Sequence, residues 1–313
     1  MKPKHLDLFT GLGSFSIAAR LTGYETVAHA EIEPFCNALL TKRFPRVPNV
    51  GDVRKIARTN FDCEGIEAYP DFYSRPEPGF DDGASDLLFC PVCTEEAGYP
   101  IDFGDCECIG AQQFGEEHGY PDLITAGSPC QDFSVAGKGA GIKGARSGLV
   151  MEIPRIGAAL GIPFVLVENV AGILNRGFDE WATAMEEVGY KVWEPFSLQA
   201  LAFGFSHRRE RVFAIAHNQG IRMEGVRFEG IQEPQPLDRA SLSVRHRDGQ
   251  WKAEPDIRRD PHGFPAGMDR SRPKHTGPRV KALGNSVPPQ IAGVLMDFIK
   301  YYAAKGQALC PAL

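Results

Sequence analysis

The 313 residues exceed the usual size of a single domain, and 43% apolar with 24% charged residues is the composition of a globular chain, not a disordered or fibrous one. No run of about 18 apolar residues and no apolar N-terminal stretch with a basic flank is present, so a cytoplasmic chain is expected, neither secreted nor membrane-spanning, whose eight cysteines serve metal ligation or catalysis more than disulfides. The net charge of −6 hides a division: residues 60–118 hold fifteen Asp/Glu against one Arg, a local −14, which leaves +8 elsewhere. Residues 205–281 alone carry sixteen Lys/Arg against ten Asp/Glu, the footprint of a polyanionic partner.

Residues 5–9 read as a short strand running into T-G-L-G-S-F, and 14–21 as an apolar helix. Strand, glycine turn and helix open a nucleotide-binding unit in which Gly11 and Gly13 let the backbone approach a ligand at a helix N-terminus. Ser16 stands where the dinucleotide fingerprint has its third glycine, which disfavours NAD and FAD. A second strand over 26–30 ends at Glu31, twenty-four residues after Asp7, the spacing of a carboxylate that accepts bonds from ribose hydroxyls. A third strand is expected to close at Asp52 in N-V-G-D-V.

Residues 60–119 break the alternation. C-P-V-C at Cys90 and Cys93 is followed by C-E-C at Cys106 and Cys108, and two close thiolate pairs of this kind match a tetrahedral structural zinc knuckle. Cys63 is a substitute ligand, while Cys36 and Cys310 lack spaced partners.

The central stretch is D-L-I-T-A-G-S-P-C-Q-D-F-S, 122–134: an apolar strand that stops at Gly127 and delivers Cys130 on a Ser128-Pro129 turn. In an open α/β sheet that position lies in the ligand crevice beyond the strand ends. A mobile basic loop over 137–148 and a helix over 149–160 follow, then a strand over 164–167 that brings Glu168 to the same sheet edge as Cys130. Phe178, Trp181, Ala182 and Met185 form a helical core stripe, and another strand is expected over 191–198. In F-G-F-S-H-R-R-E-R-V-F, Arg209 and Arg211 are two apart and share one strand face. Residues 218–277 have little periodicity and read as a small irregular lobe. After K-A-L-G-N-S-V-P-P comes a helix expected to present Ile291, Val294, Leu295, Phe298 and Tyr302 on one face.

In order, D-L-F-T-G-L-G-S-F, G-S-P-C-Q-D-F-S, E-N-V and G-N-S-V-P-P resemble the motifs of the DNA cytosine-5 methyltransferases, in their compact phage or bacterial form. The resemblance covers most of 1–58 and 120–216 and the last forty residues. It implies a Rossmann-like α/β methyltransferase fold made of 1–59, 120–217 and 278–313, with 218–277 as target-recognition lobe and 60–119 as an acidic insert that is not a standard family part. The implied activity is transfer of a methyl group from S-adenosylmethionine to C5 of a flipped-out cytosine, with double-stranded DNA as partner and a monomeric enzyme. Phe9, Gly11, Leu12, Gly13, Glu31, Ile32, Asp52, Val53, Pro129, Leu149, Asn285 and Ser286 are implied at the cofactor. Cys130 is implied as nucleophile, Glu168 on the cytosine N3 and amino edge, Arg209 on its carbonyl and Arg211 in support of the loop. A tRNA cytosine-5 methyltransferase and a catalytically silent DNA-binding regulator are the alternatives. The family's Gln-x-Arg-x-Arg begins here with His207, and the usual link to the last cofactor segment is missing unless Gly263-Phe264-Pro265 is its remnant.

Overall fold

The structure, a computed structural model, describes residues 2–58, 109–129, 147–205, 209–219 and 276–305. Cys130, the four cysteines of the zinc pattern, His207 and 220–275 of the recognition lobe lie outside the described residues.

The chain folds as α/β. β1 (Lys4–Leu8), α1 (Ser14–Leu21), β2 (Glu25–Ala30) and α2 (Pro34–Arg43) come first. A two-stranded ladder, β3 (Ile56–Arg58) with β4 (Ile109–Gly110), is followed by α3 (Ala111–His118), β5 (Leu123–Gly127), α4 (Glu152–Ala159), β6 (Phe164–Asn169) and α5 (Phe178–Glu187). β7 (Tyr190–Val192), β8 (Phe196–Gln199), β9 (Glu210–Asn218), α6 (Thr276–Asn285) and α7 (Pro289–Lys305) complete it. The main sheet runs β2-β1-β5-β6-β9-β7, with β8 also paired to β9. β2, β1, β5 and β6 are mutually parallel, and β9 is antiparallel to β6, β7 and β8.

Both faces of the central parallel strands β5 and β6 are buried, which is why they read as near-continuous apolar runs. Leu6, Leu8, Ile124, Ala126, Val165, Val167, Val212 and Ala214 point to one face, where Phe114, Ile153, Ile156, Trp181 and Met185 of α3, α4 and α5 meet them. Leu123, Phe164, Leu166, Phe213 and Ile215 alternate to the other face, against Phe15, Ala18 and Ala19 of α1 and Ile291, Leu295, Met296 and Ile299 of α7.

Several expected features differ. Before Asp52 there is no strand but one bridge, His29 to Asn49, because Pro48 and Gly51 interrupt the run; Asp52 instead caps a 3-10 turn, Val53–Lys55, through the Arg54 amide. The strand expected over 191–198 is two strands, β7 and β8, separated by a segment containing Pro195, and the helix expected from Leu149 opens with a 3-10 turn, Ser147–Met151. Of the face expected on α7, Ile291, Leu295 and Tyr302 are buried, joined by Ala292, Met296 and Ile299, while Phe298 is 40% exposed, with its ring edge-on to Trp193 at 5.9 Å. Within the range read as insert, Ile109 pairs with Ile56 and Phe114 is wholly buried in the core.

On the α1 face of β1 the alternating residues are polar. His5 and Asp7 are fully buried. His5 Nε2 lies 2.7 Å from the Thr125 hydroxyl, and Asp7 Oδ2 accepts from the Ser16 amide at 3.1 Å and the Ser16 hydroxyl at 2.6 Å. The same hydroxyl lies 2.8 Å from His29 Nε2. Burial pushes the Asp7 carboxyl up to about 8, against the opposing bonds from Ser16 and Thr125, and pushes His5 down to about 3 and His29 to about 4. Near neutrality all three are therefore uncharged.

These shifts have opposite consequences for stability. Asp7 holds its proton more tightly when folded, so its contribution is complete below its ordinary 3.8 and is lost as pH rises to about 8. The histidines hold theirs less tightly, so their contribution is complete above 6.5 and is lost as pH falls toward 3 to 4. The network is thus most stabilising near pH 6.5. Urea unfolding should show the wild type losing roughly 2 kcal/mol between pH 6.5 and 8.5, and Asp7→Asn should be flat over that interval; an equal decline in both would remove Asp7 as its source.

Candidate functional site

A cavity of about 420 Å³ opens at the carboxyl ends of β1, β2, β5 and β6, within the range of small-molecule sites. Its first wall is the turn after β1. Phe9, Gly11 and Gly13 are all left-handed there, at φ 55, 56 and 80. A Cβ at position 13 would stand 2.8 Å from the Phe44 ring and 3.1 Å from Leu40, so only glycine fits where the turn lies on α2.

Glu31 forms the second wall at the end of β2. Its carboxylate accepts from the Gly11 amide at 2.6 Å and the Glu33 amide at 2.7 Å, while Asn49 binds its own amide and carbonyl. Burial raises its pKa, and these amides work against the rise. Beside it Ile32 is 62% exposed, an apolar plate at the rim. Asp52 and Val53 continue the wall. Burial alone would raise the Asp52 carboxyl, but the Arg54 fork, with Nη2 at 2.7 Å, brings it below its ordinary value.

The opposite end is built from β5, β6 and β9. Gly127, Ser128 and Pro129 line it, and Cys130 follows Pro129 in the chain. Asn169 donates to the Ser128 hydroxyl at 2.9 Å and so pins the turn that leads to the cysteine. Glu168 is buried, and its Oε1 lies 2.8 Å from Arg211 Nε. Burial raises its pKa, and the charges of Arg211 and Arg209 oppose that. A Cβ at position 127 would lie 3.4 Å from the other carboxyl oxygen, so Gly127 leaves that oxygen room.

The last wall comes from the C-terminal segment: Lys281, Ala282, Asn285, Ser286 and Val287. Lys281 reaches Glu33 at 2.6 Å across the rim.

Of the residues expected at the cofactor, Phe9, Gly11, Leu12, Glu31, Ile32, Asp52, Val53, Pro129, Leu149, Asn285 and Ser286 line this one cavity; Gly13 does not, being turned against Phe44. Glu168 and Arg211 line it too, and Arg209 does not. The two arginines, expected on the cytosine carbonyl (Arg209) and in support of the loop (Arg211), make different contacts within the chain. Arg211, on β9, pairs with Glu168, whereas Arg209, just before β9, donates to the carbonyls of Leu283, at 3.2 Å, and Gly284. Spacing put both on one face and could not rank their reach. Sequence reasoning missed the work of Asn169, although it stands inside E-N-V, and missed Glu33 and Lys281, whose pairing joins residues 248 positions apart. Among the described residues no group of three or more His, Cys, Asp or Glu converges as a metal site, and no helix is long and apolar enough to cross a membrane.

The arrangement fits an adenosine-bearing cofactor. It offers a glycine cradle, a carboxylate at ribose spacing, an apolar plate and, at the far end, an acid held beside a guanidinium. The family model for C-5 cytosine-specific DNA methylase matches residues 4–68 and 96–256. The type II methyltransferase M2.BsuMI of Bacillus subtilis (strain 168) is 28% identical over 221 residues, 68% of this chain and 41% of that protein. The orphan methyltransferase M.SPRI of Bacillus phage SPR is 25% identical over 263 residues, 82% of this chain and 45% of that protein. The chain spans less than half the length of these two relatives. Among solved structures, the S. pombe Dnmt2 methyltransferase superposes with a TM-score of 0.54 over 96% of this chain and 98% of that one, at 13% identity, a likeness of fold. With its ordered motifs, its sheet and a family match over more than half its length, the chain belongs to the C-5 cytosine-specific DNA methylase family.

Proposed function

We propose that the chain is an S-adenosylmethionine-dependent DNA cytosine-5 methyltransferase that acts on double-stranded DNA through Cys130. What carries the reading is convergence: four sequence stretches, around Gly11, Glu31, Pro129 and Asn285, line one cavity whose far end holds the Glu168–Arg211 pair.

The cofactor supplies an electrophilic methyl group. Cytosine C5 is too poor a nucleophile to take it unaided. The Cys130 thiolate adds to C6, which turns C5 into an enamine carbon, and cysteine suits this step because its thiolate forms at modest cost. Glu168, its pKa raised by burial, holds a proton at the ring N3 as negative charge builds there. Arg211 keeps Glu168 oriented, and from that place it is assigned to the base carbonyl, the role that the resemblance implied for Arg209. After C5 takes the methyl group, a base removes the C5 proton, the C6–S bond breaks and the thiolate returns. Since C6 is inaccessible inside a duplex, the base has to leave the stack.

The +8 carried outside residues 60–118 supports phosphate contact by the catalytic body and the lobe, not by the insert. Because β4 and α3 pack on the body, the insert proper is assigned to 59–108. Cys90, Cys93, Cys106 and Cys108 are assigned to a structural zinc on the strength of their paired spacing.

Methyl transfer from labelled cofactor to mixed-sequence duplex DNA, mapped at base resolution, tests the reading: 5-methylcytosine at one short motif is expected, and none with Cys130→Ser. Transfer to tRNA with none to DNA would reassign the substrate. Glu168→Gln should cut turnover by about 10² to 10⁴ with cofactor affinity little changed; turnover within two-fold of wild type would take Glu168 out of the chemistry. Metal analysis of the purified chain should find close to one zinc, and less than about half an equivalent with Cys90 and Cys106 freely alkylated would end that assignment.

A further inference from the structure

The end of α6 and the turn into α7 carry two of the cavity-lining residues, Asn285 and Ser286. The last carbonyls of a helix have no intrahelical partner and form the negative end of its dipole. Here the chain continues into Pro288 and Pro289, neither of which has an N–H to offer. The Leu283 carbonyl takes the Ser286 amide at 3.3 Å, and side chains supply further donors. Ser286 Oγ donates to the Leu283 carbonyl at 2.9 Å. Arg209 Nη1 donates to the same carbonyl at 3.2 Å, and its Nη2 donates to the Gly284 carbonyl. Arg211 Nη2 reaches the Gly284 carbonyl at 3.4 Å, while Arg211 Nε holds Glu168 at 2.8 Å.

Two guanidiniums from the entry to β9 thus cap α6. Arg209 is outside the cavity, yet it holds the backbone from which Asn285 enters it. Arg211 binds the same carbonyl and also the buried carboxyl at the far end. A planar fork suits such a place, since it gives several donors at fixed angles and remains charged.

We propose that Arg209 is a positioning residue for the cofactor wall, acting through the α6 carbonyls and not on a base, and that the Gly284 carbonyl it shares with Arg211 couples that wall to Glu168. This rests on the methyltransferase reading. It separates the two arginines by function: one reaches the chemistry, and the other sets the cofactor pocket without touching what is bound there.

The test uses the full-length protein without DNA and reads S-adenosylhomocysteine affinity by calorimetry, so that a contact with the base cannot contribute. Arg209→Ala should weaken binding about ten-fold with the melting temperature close to wild type, and Arg209→Lys, which keeps one donor and the charge, about three-fold. In an Asn285→Ala background the same Arg209→Ala change should cost less than about two-fold, because the residue it acts through is gone. Unchanged affinity in a folded Arg209→Ala protein overturns the proposal, as does a full ten-fold loss in the Asn285→Ala background. If Arg209→Ala does not fold, Arg209→Lys decides, with wild-type affinity as the overturning result. A wild-type protein that binds no S-adenosylhomocysteine would sink the methyltransferase reading and this proposal with it, a failure distinct from one confined to the variants.

Discussion

The cofactor cavity depends on a backbone turn that the chain does not adopt without help. Phe9 sits at φ 55, a region a bulky L-residue visits only at a cost of about 1 to 3 kcal/mol. Several bonds hold it there. The Thr10 hydroxyl donates back to the Asp7 carbonyl at 2.7 Å, the Gly13 amide to the Thr10 carbonyl at 2.9 Å, and the Gly11 amide to Glu31 at 2.6 Å. Beneath it Asp7 takes the Ser16 amide at the start of α1, so one carboxyl from the first strand fixes where the helix begins. Glu31 is then both a structural acceptor and the group that faces the cavity. The strained turn and the binding wall are one feature.

The second constraint is the place of Glu168 in the sheet. β6 is the strand at which the sheet changes from parallel to antiparallel, with Gly127 beside Glu168 on one flank and Phe213 on the other. A buried carboxyl flanked by apolar side chains on both sides would be costly. Glycine on one side opens space, and Arg211, two residues before Phe213 on β9, supplies the charge. The irregular connection between β8 and β9 therefore has a chemical result, since it starts β9 where its first arginine reaches the end of β6. Arg209, just outside the strand, is left for the α6 carbonyls.

β5 and β6 were legible because they are short apolar runs ending at glycine or acid, and burial on both faces allows little else; β1 and β2, which carry His5, Asp7, Thr26 and His29, were legible through the glycine turn and the acid that follow them. The cavity wall was legible too, through its glycines and the spacing to Glu31. What escaped was set by tertiary context. Pro195 lies between two strands that both pair with β9, which no local pattern announces. On α7 Ile291, Leu295 and Tyr302 are buried as expected, but Phe298 looks like core and finds Trp193 at the rim instead. Residues 111–118, A-Q-Q-F-G-E-E-H, read as polar insert, yet the single Phe114 fills the core and carries the helix with it. The division of labour between Arg209 and Arg211 depends on carbonyls some seventy residues away.

The join where the insert leaves and returns explains how so acidic a segment is carried. Arg58 and Gly110 are register partners in the β3–β4 ladder, so the two ends of 59–108 meet on neighbouring strands. Closing a loop between fixed adjacent ends adds a cost that grows only slowly with its length. The join is braced: Arg155 donates to the carbonyls of Ala57 at 3.1 Å and Val53 at 3.3 Å, and Glu152 takes Arg155 at 2.8 Å and Arg58 at 3.5 Å. Val53 also lines the cavity, so the brace that closes the insert holds a cavity wall as well. Residues 59–108 hold thirteen Asp/Glu against one Arg, a local −12, so most of the chain's excess acid is confined to a segment that leaves and returns at one braced join.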